Sequence, residues 1–155
     1  MRRASLAILG AAAFTGQGAA AAAPPLRATA RPARAGAAPV VLTVKARLDE
    51  LQCGRVTRGP LLLGLPSSAR VPRRIAARAV TIDGAATAGV HVSGHVLALQ
   101  PAPPKGMICD VIGPGNVTVV VRGAAGVGNP RRAGAYRLWL RLGGQTVAGR
   151  LVVSK

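Results

Sequence analysis

Arg137, Trp139 and Arg141 are the residues whose types and spacing best suit the binding of a ligand. They alternate with apolar residues between positions 136 and 142, and a period of two is typical of a strand that is buried on one face. The three side chains would share the polar face, with the indole between two guanidinium groups. The ring can stack on a sugar or a base while the arginines bind an anion. Alternatively, Trp139 packs beneath the arginine side chains or a neighbouring loop and serves only the fold.

Residues suited to catalysis or metal binding are few and dispersed. His91 and His95 are four positions apart, a spacing that suits a metal site on a helix, but they fall in a predicted β-hairpin that separates the imidazoles. The acidic residues are Asp49, Glu50, Asp83 and Asp110. None of them forms a pair suited to general acid–base catalysis, and nucleophile-elbow, phosphate-loop and zinc-helix motifs are absent. We therefore expect a protein that is not an enzyme, without catalytic residues, metal or cofactor.

The chain is strongly basic, with 21 lysines and arginines against four acids and a net charge of +17. Such a surface attracts polyanions, including nucleic acid, anionic cell-wall polymers and lipid headgroups. Arginines expected on this surface include Arg73, Arg74, Arg78, Arg131 and Arg132. Arg131 and Arg132 are also assigned to the candidate binding surface of Arg137, Trp139 and Arg141. A coding bias toward the nucleotides guanine and cytosine also enriches arginine together with alanine, glycine and proline. Composition therefore leaves both interpretations open. It is compatible with anionic cell-envelope polymers as partners and names no specific ligand.

Cys53 and Cys109 are the only cysteines, and both lie downstream of the N-terminal segment. An even number of cysteines in an exported chain favours a disulfide. A bridge between them would close a loop of more than fifty residues, which is worth about 4 kcal/mol in the chain-entropy model. Two free thiols or a metal pair are the alternatives, although no second cysteine pair or histidine cluster completes a metal site.

Residues 1–23 have the three-part pattern of a secretory signal peptide. Arg2 and Arg3 precede an apolar run, and a tract of small residues follows. Cleavage is expected between residues 20 and 30, and the basic, proline-rich residues 24–39 are predicted to form a disordered linker. A membrane anchor is the alternative, because residues 4–26 carry no charge and are long enough to span a bilayer. The preferred prediction is a secreted, periplasmic or cell-surface protein, a monomer whose mature chain has no membrane span.

From position 40 the sequence predicts short strands separated by glycine- and proline-rich turns, and thus an all-β domain over residues 40–155. Strands are expected at 40–44, 61–65, 79–82, 117–121, 135–142 and 147–153, with a tight hairpin at 90–100. Two-residue turns are expected at Asp83-Gly84, at Ser93-Gly94 or Gly94-His95, and at Gly143-Gly144. The charged residues 45–52 are predicted to form a loop or a short helical turn.

Five short motifs follow one another between positions 59 and 154. They are Leu65-Pro66, Pro72 with Ile75, VTIDG at 80–84, VHVSG at 90–94 and GVGNPRRAGAY at 126–136. In this order they resemble the immunoglobulin-like modules of secreted and surface-layer-associated bacterial proteins. The resemblance implies an immunoglobulin-like antiparallel β-sandwich of about seven to eight short strands. It also implies a non-catalytic binding or structural module.

The last motif also resembles the tyrosine corner of immunoglobulin-type sandwiches, in which a tyrosine near the start of a strand bonds back to the upstream backbone. The resemblance implies structural roles for Gly134 and Tyr136. Asn129 and Pro130 are expected to open the turn that precedes them. The two cysteines do not occupy the positions of the inter-sheet bridge in antibody domains.

Overall fold

A computed structural model describes residues 26–49, 59–102 and 115–155, together with the backbone of residues 52–53 and 111–112. Over these ranges the chain is all-β, apart from two 3₁₀ turns at Ala77–Ala79 and Gly123–Ala125. The strands are β1 (Leu26–Arg31), β2 (Val41–Leu48), β3 (Gln52–Cys53), β4 (Leu61–Gly64), β5 (Val80–Ile82), β6 (Ala85–Ala86), β7 (Gly89–Ser93), β8 (Val96–Gln100), β9 (Val111–Ile112), β10 (Gly115–Val121), β11 (Gly134–Leu142) and β12 (Gln145–Val153). The predicted signal peptide and Cys109 lie outside the described residues.

Ten strands form one curled mixed sheet in the order β6-β5-β10-β2-β1-β12-β11-β4-β8-β7. Neighbouring strands are antiparallel except β1 and β12, which run parallel. β1 joins the two halves of the sheet. Inward-facing residues from both halves, such as Val44 and Val119 on one side of β1 and Leu63 and Leu138 on the other, belong to one buried cluster. The sheet therefore curls around a single apolar core, and no helix in the described part is long and apolar enough to cross a membrane.

The strand count and the strand directions differ from the prediction of a purely antiparallel arrangement with seven to eight strands. Several additional strands have only two residues, too few to show a period in the sequence. The parallel pair arises because β1 lies beside the last strand of the chain, a pairing that depends on distant parts of the sequence.

β1 comes from the segment that was expected to be a disordered linker, so the structure differs from that expectation over residues 26–31. Its residues alternate, with Leu26 and Ala30 buried in the core and Arg27, Thr29 and Arg31 exposed. The strand is hydrogen-bonded on both sides, to β2 and to β12. A composition of alanine, arginine and threonine obscures this period of two, because alanine carries little hydrophobic signal.

The residues that follow β1 are fixed to the body of the protein by Asn129. Its side-chain Nδ2 donates hydrogen bonds of 2.9 Å to the carbonyls of Pro32 and Arg34, and its backbone N–H donates to the carbonyl of Ala37 at 2.8 Å. Asn129 is 4% exposed. Because a buried amide without partners is costly, these bonds explain why an asparagine is accommodated there, and they order the loop between β1 and β2.

β2 is longer than predicted, since it continues through residues expected to form a loop or a helical turn. Lys45 and Arg47 are exposed while Ala46 and Leu48 are buried, so the strand alternation persists across the charged residues. β3 and β9 then pair with each other beyond the ends of β2 and β10.

The three predicted two-residue turns are confirmed. Asp83-Gly84 joins β5 to β6 with positive φ at both residues, 49° and 87°. Ser93 pairs with Val96, so Gly94-His95 forms the turn between β7 and β8 and the Ser93-Gly94 alternative is excluded. Gly143-Gly144 joins β11 to β12. In the second and third turns the first residue has positive φ, 57° at Gly94 and 55° at Gly143, as a tight hairpin requires.

Candidate binding surface

Trp139 lies on the outer face of the sheet and packs over the backbone of β4. It pairs in register with Gly64, and a methyl group at Gly64 would overlap the indole ring. The missing side chain therefore creates the space in which the ring lies. Trp139 is half-buried in this position, which fixes its orientation and leaves part of the ring accessible. One side of the indole therefore packs against the fold, and ligand binding by the accessible part stays a prediction.

Arg137 and Arg141 flank Trp139 on β11, and both side chains are exposed. Arg141 donates a bond of 3.4 Å from Nε to the carbonyl of Gly143. All three residues line an open groove of about 420 Å³. The other residues of this groove are Leu65, Pro66, Ser67 and Thr146. The predicted platform is therefore brought together on one surface, which we call the Trp139 surface.

Arg131 and Arg132 do not line the Trp139 surface, although sequence analysis included them in the same candidate site. Both are exposed. Arg131 lines a separate cavity of about 360 Å³ together with Arg70 and Asn129. The cause is local: these arginines precede the start of β11, so they lie at one end of the strand whose centre carries Trp139.

The residues expected to have structural roles make backbone contacts around the start of β11. The hydroxyl of Tyr136 donates a bond of 2.7 Å to the carbonyl of Arg132, four residues upstream. The carbonyl of Pro130 accepts a bond of 2.8 Å from the N–H of Gly36. Gly134 is the first residue of β11. These contacts, with those of Asn129, connect the turn before β11 to the loop after β1.

Sequence reasoning missed a row of cations that crosses four adjacent strands. Lys45 of β2 pairs with Arg27 of β1, Arg27 with Arg150 of β12, and Arg150 with Arg137 of β11. All four side chains are exposed, and directly paired residues of a sheet point to the same face. We call these four residues the cation row. The alternation within each strand was visible in the sequence, but the register between distant strands was not.

Carboxylates that could neutralise the cation row are absent from the residues that the structure describes. Two acids occur there, Asp49 and Asp83. Asp49 forms an exposed ion pair of 3.8 Å with Arg47. Asp83, in the turn after β5, accepts a hydrogen bond of 2.7 Å from the backbone N–H of Thr118. Neither of these two acids forms an ion pair with a member of the row.

The hairpin formed by β7 and β8 separates the two histidines, with His91 on β7 and His95 in the turn. In the described ranges, no group of three or more histidines, cysteines or acids is close enough to hold a metal. The backbone of Cys53 pairs with Val111, two positions after Cys109 in sequence. Because Cys109 lies outside the described residues, the disulfide stays a prediction.

Comparison of the chain with family models, with curated proteins and with solved structures gave no match in any of the three.

Proposed function

We propose that the chain is an exported, non-catalytic binding or structural module of the cell envelope or the extracellular space, with an immunoglobulin-like β-sandwich fold. The single buried core between two halves of the sheet supports the sandwich interpretation, as does the bond from Tyr136 to the carbonyl of Arg132, which has the form of a tyrosine corner. The pattern of the first 23 residues supports export.

The Trp139 surface is the observation that carries the binding role. A half-exposed indole held on a glycine backbone between two exposed arginines forms a rigid site that can combine ring stacking with anion recognition. Aromatic and arginine side chains are also the residues that most often dominate binding energies at protein surfaces.

The test is a sedimentation assay of the purified mature protein with envelope fragments from its own host. Trp139→Ala should reduce the bound fraction severalfold. Val41→Thr, a change at an exposed apolar residue on β2, should leave it unchanged. Circular dichroism of both variants verifies that they fold. Equal retention of the Trp139→Ala variant and the wild type would reject the Trp139 surface as the binding site.

A second candidate function is that of a basic, secreted polyanion-binding protein. The specific observation in its favour is that Arg47 is the only basic residue in the described ranges that forms an ion pair. The test is a salt series with a polyanion, because contacts to phosphates of nucleic acid lower the logarithm of the affinity by about 0.7–0.9 per contact for each tenfold rise in salt. A salt-independent affinity would reject this function and favour the module without a polyanion site.

A further inference from the structure

We propose that the cation row is a binding site for a linear acidic polysaccharide that lies across the strands of the sheet. The inference rests on the polyanion-binding function and assigns that function to a particular site. Its members are Lys45, Arg27, Arg150 and Arg137, contributed by β2, β1, β12 and β11 in their order in the sheet.

The geometry of the sheet sets the spacing of the charges. Neighbouring strands lie about 4.8 Å apart, so the row places one cation per strand over about 14 Å. Like charges that are directly opposite each other destabilise a sheet, and three such pairs occur in succession here. A polymer with regularly spaced carboxylates places a negative charge near each cation and thereby removes the repulsion between them.

A groove along β1 and β12 gives the polymer a place to lie. It has a volume of about 1110 Å³, and Arg27, Arg137 and Arg150 all line it. Most of its other lining residues are small: Ala28, Thr29, Ala135, Ala148 and Gly149. At Gly149 a side chain would overlap the backbone carbonyl of Leu26. The groove is therefore lined by small residues and bordered by guanidinium groups, which can donate paired hydrogen bonds to carboxylates in the two-point geometry that arginine favours.

The neighbouring aromatic residue favours a saccharide over a nucleic acid. Trp139 lies two positions from Arg137 on the same face of β11, so it can contact a sugar ring at the end of the row. Single-stranded nucleic acids are held by successive stacking platforms, whereas Trp139 and Tyr136 are the only aromatic residues after position 14. The hydroxyl of Tyr136 is already bonded to the backbone.

Residues 1–25 contain Arg2 and Arg3 and no acidic residue. They therefore carry no negative charge that would complement the cation row, and the occupant that we propose is an external anion.

The binding assay uses polygalacturonate as the probe and the fluorescence of Trp139, the only tryptophan in the chain, as the signal. The double variant Arg27→Gln/Arg150→Gln removes the two central charges of the row. Arg73→Gln/Arg74→Gln is the matched control, because it removes the same charge from exposed residues between β4 and the first 3₁₀ turn. The double variant Arg27→Lys/Arg150→Lys keeps the charge without the guanidinium group.

We expect the row variant to bind polygalacturonate about tenfold more weakly than the wild type, as for two exposed charge contacts. We also expect its salt dependence to fall by about one to two contacts. The control should change affinity less than twofold, and the lysine variant should recover most of the binding. Neutral dextran should not bind the wild type.

Each other outcome overturns a specific part of the proposal. Equal weakening in the row variant and the control would reject the cation row while leaving polyanion binding intact. If the wild type binds none of the three probes (polygalacturonate, oligothymidylate and vesicles containing phosphatidylglycerol), both the row and the polyanion function are rejected. Tighter binding to oligothymidylate or to the vesicles than to polygalacturonate would reject the polysaccharide as the ligand.

Discussion

Replacing the central arginine of the cation row should make the free protein more stable. Arg150 is directly opposite Arg27 on one side and Arg137 on the other. Each opposition of like charges costs roughly 0.2–1 kcal/mol, so Arg150→Gln, which removes two of them, should raise the free energy of unfolding by about 0.4–2 kcal/mol. For a domain of this size, a gain of 1 kcal/mol corresponds to a rise in Tm of roughly 3–5 °C.

Salt separates this electrostatic gain from any effect on packing. The strand spacing of about 4.8 Å is shorter than the Debye length of about 10 Å at 0.1 M salt and longer than the value of about 3 Å at 1 M. The advantage of Arg150→Gln should therefore be large at low salt and should mostly disappear at 1 M.

The assay is urea denaturation followed by Trp139 fluorescence at both salt concentrations. Arg150→Lys keeps the charge and should show no gain, and Arg73→Gln removes a charge from a different exposed segment. An Arg150→Gln variant that is no more stable than the wild type at low salt, or whose advantage persists at 1 M salt, would refute the argument that the row stores repulsion.

Two substitutions and one mass measurement test the fold further. Asn129→Asp places a buried carboxylate where the amide donates to two carbonyls; burial raises the pKa of the new carboxyl, so the variant should lose stability relative to the wild type as pH rises from about 4 to 7, and parallel pH profiles in urea denaturation would contradict this. Gly149→Ala should lower stability by about 1–3 kcal/mol, as overpacking does, because its methyl group overlaps the carbonyl of Leu26; a thermal melt equal to that of the wild type would show that β1 moves freely. The intact mass of the protein from its native host should correspond to a chain that starts before Leu26, because cleavage within β1 would remove a paired strand. The mass should increase by 2 Da on reduction if Cys53 and Cys109 form a bridge. A later start would reject the first prediction, and an unchanged mass on reduction would reject the second.

The tight hairpins were predictable because a few adjacent residues determine them. The turns Asp83-Gly84 and Gly143-Gly144 combine the dipeptides that adopt a left-handed backbone with flanking residues of period two. Along β11, the alternation of Leu138 and Leu140 with Arg137 and Trp139 predicted both the buried and the exposed face. Local chemistry was sufficient in these segments, since no distant contact is needed to specify either the turn or the face.

β1 and the cation row were not predictable, because both depend on which distant strands become neighbours. The parallel pairing of β1 with β12 joins segments more than one hundred residues apart, and nothing within residues 26–31 indicates that partner. A shift of one residue in this register would place Arg27 beside a different residue of β12 and abolish the row. Sequence analysis therefore recognised the arginines as exposed residues without recognising that they are aligned.

This alignment bears on the two explanations for the basic composition. A coding bias toward G and C accounts for the number of arginines, but it acts on codons and has no information about strand register. Random placement on exposed strand positions would put some arginines opposite neutral residues, as Thr118 is opposite Lys45 at the end of the row. Three consecutive oppositions of like charge reduce stability, and a single change at Arg150 would relieve two of them. A ligand whose negative charges match the row would account for this arrangement, as we propose, and the paired measurements of stability and polygalacturonate binding on Arg150 variants separate this proposal from an effect of composition alone.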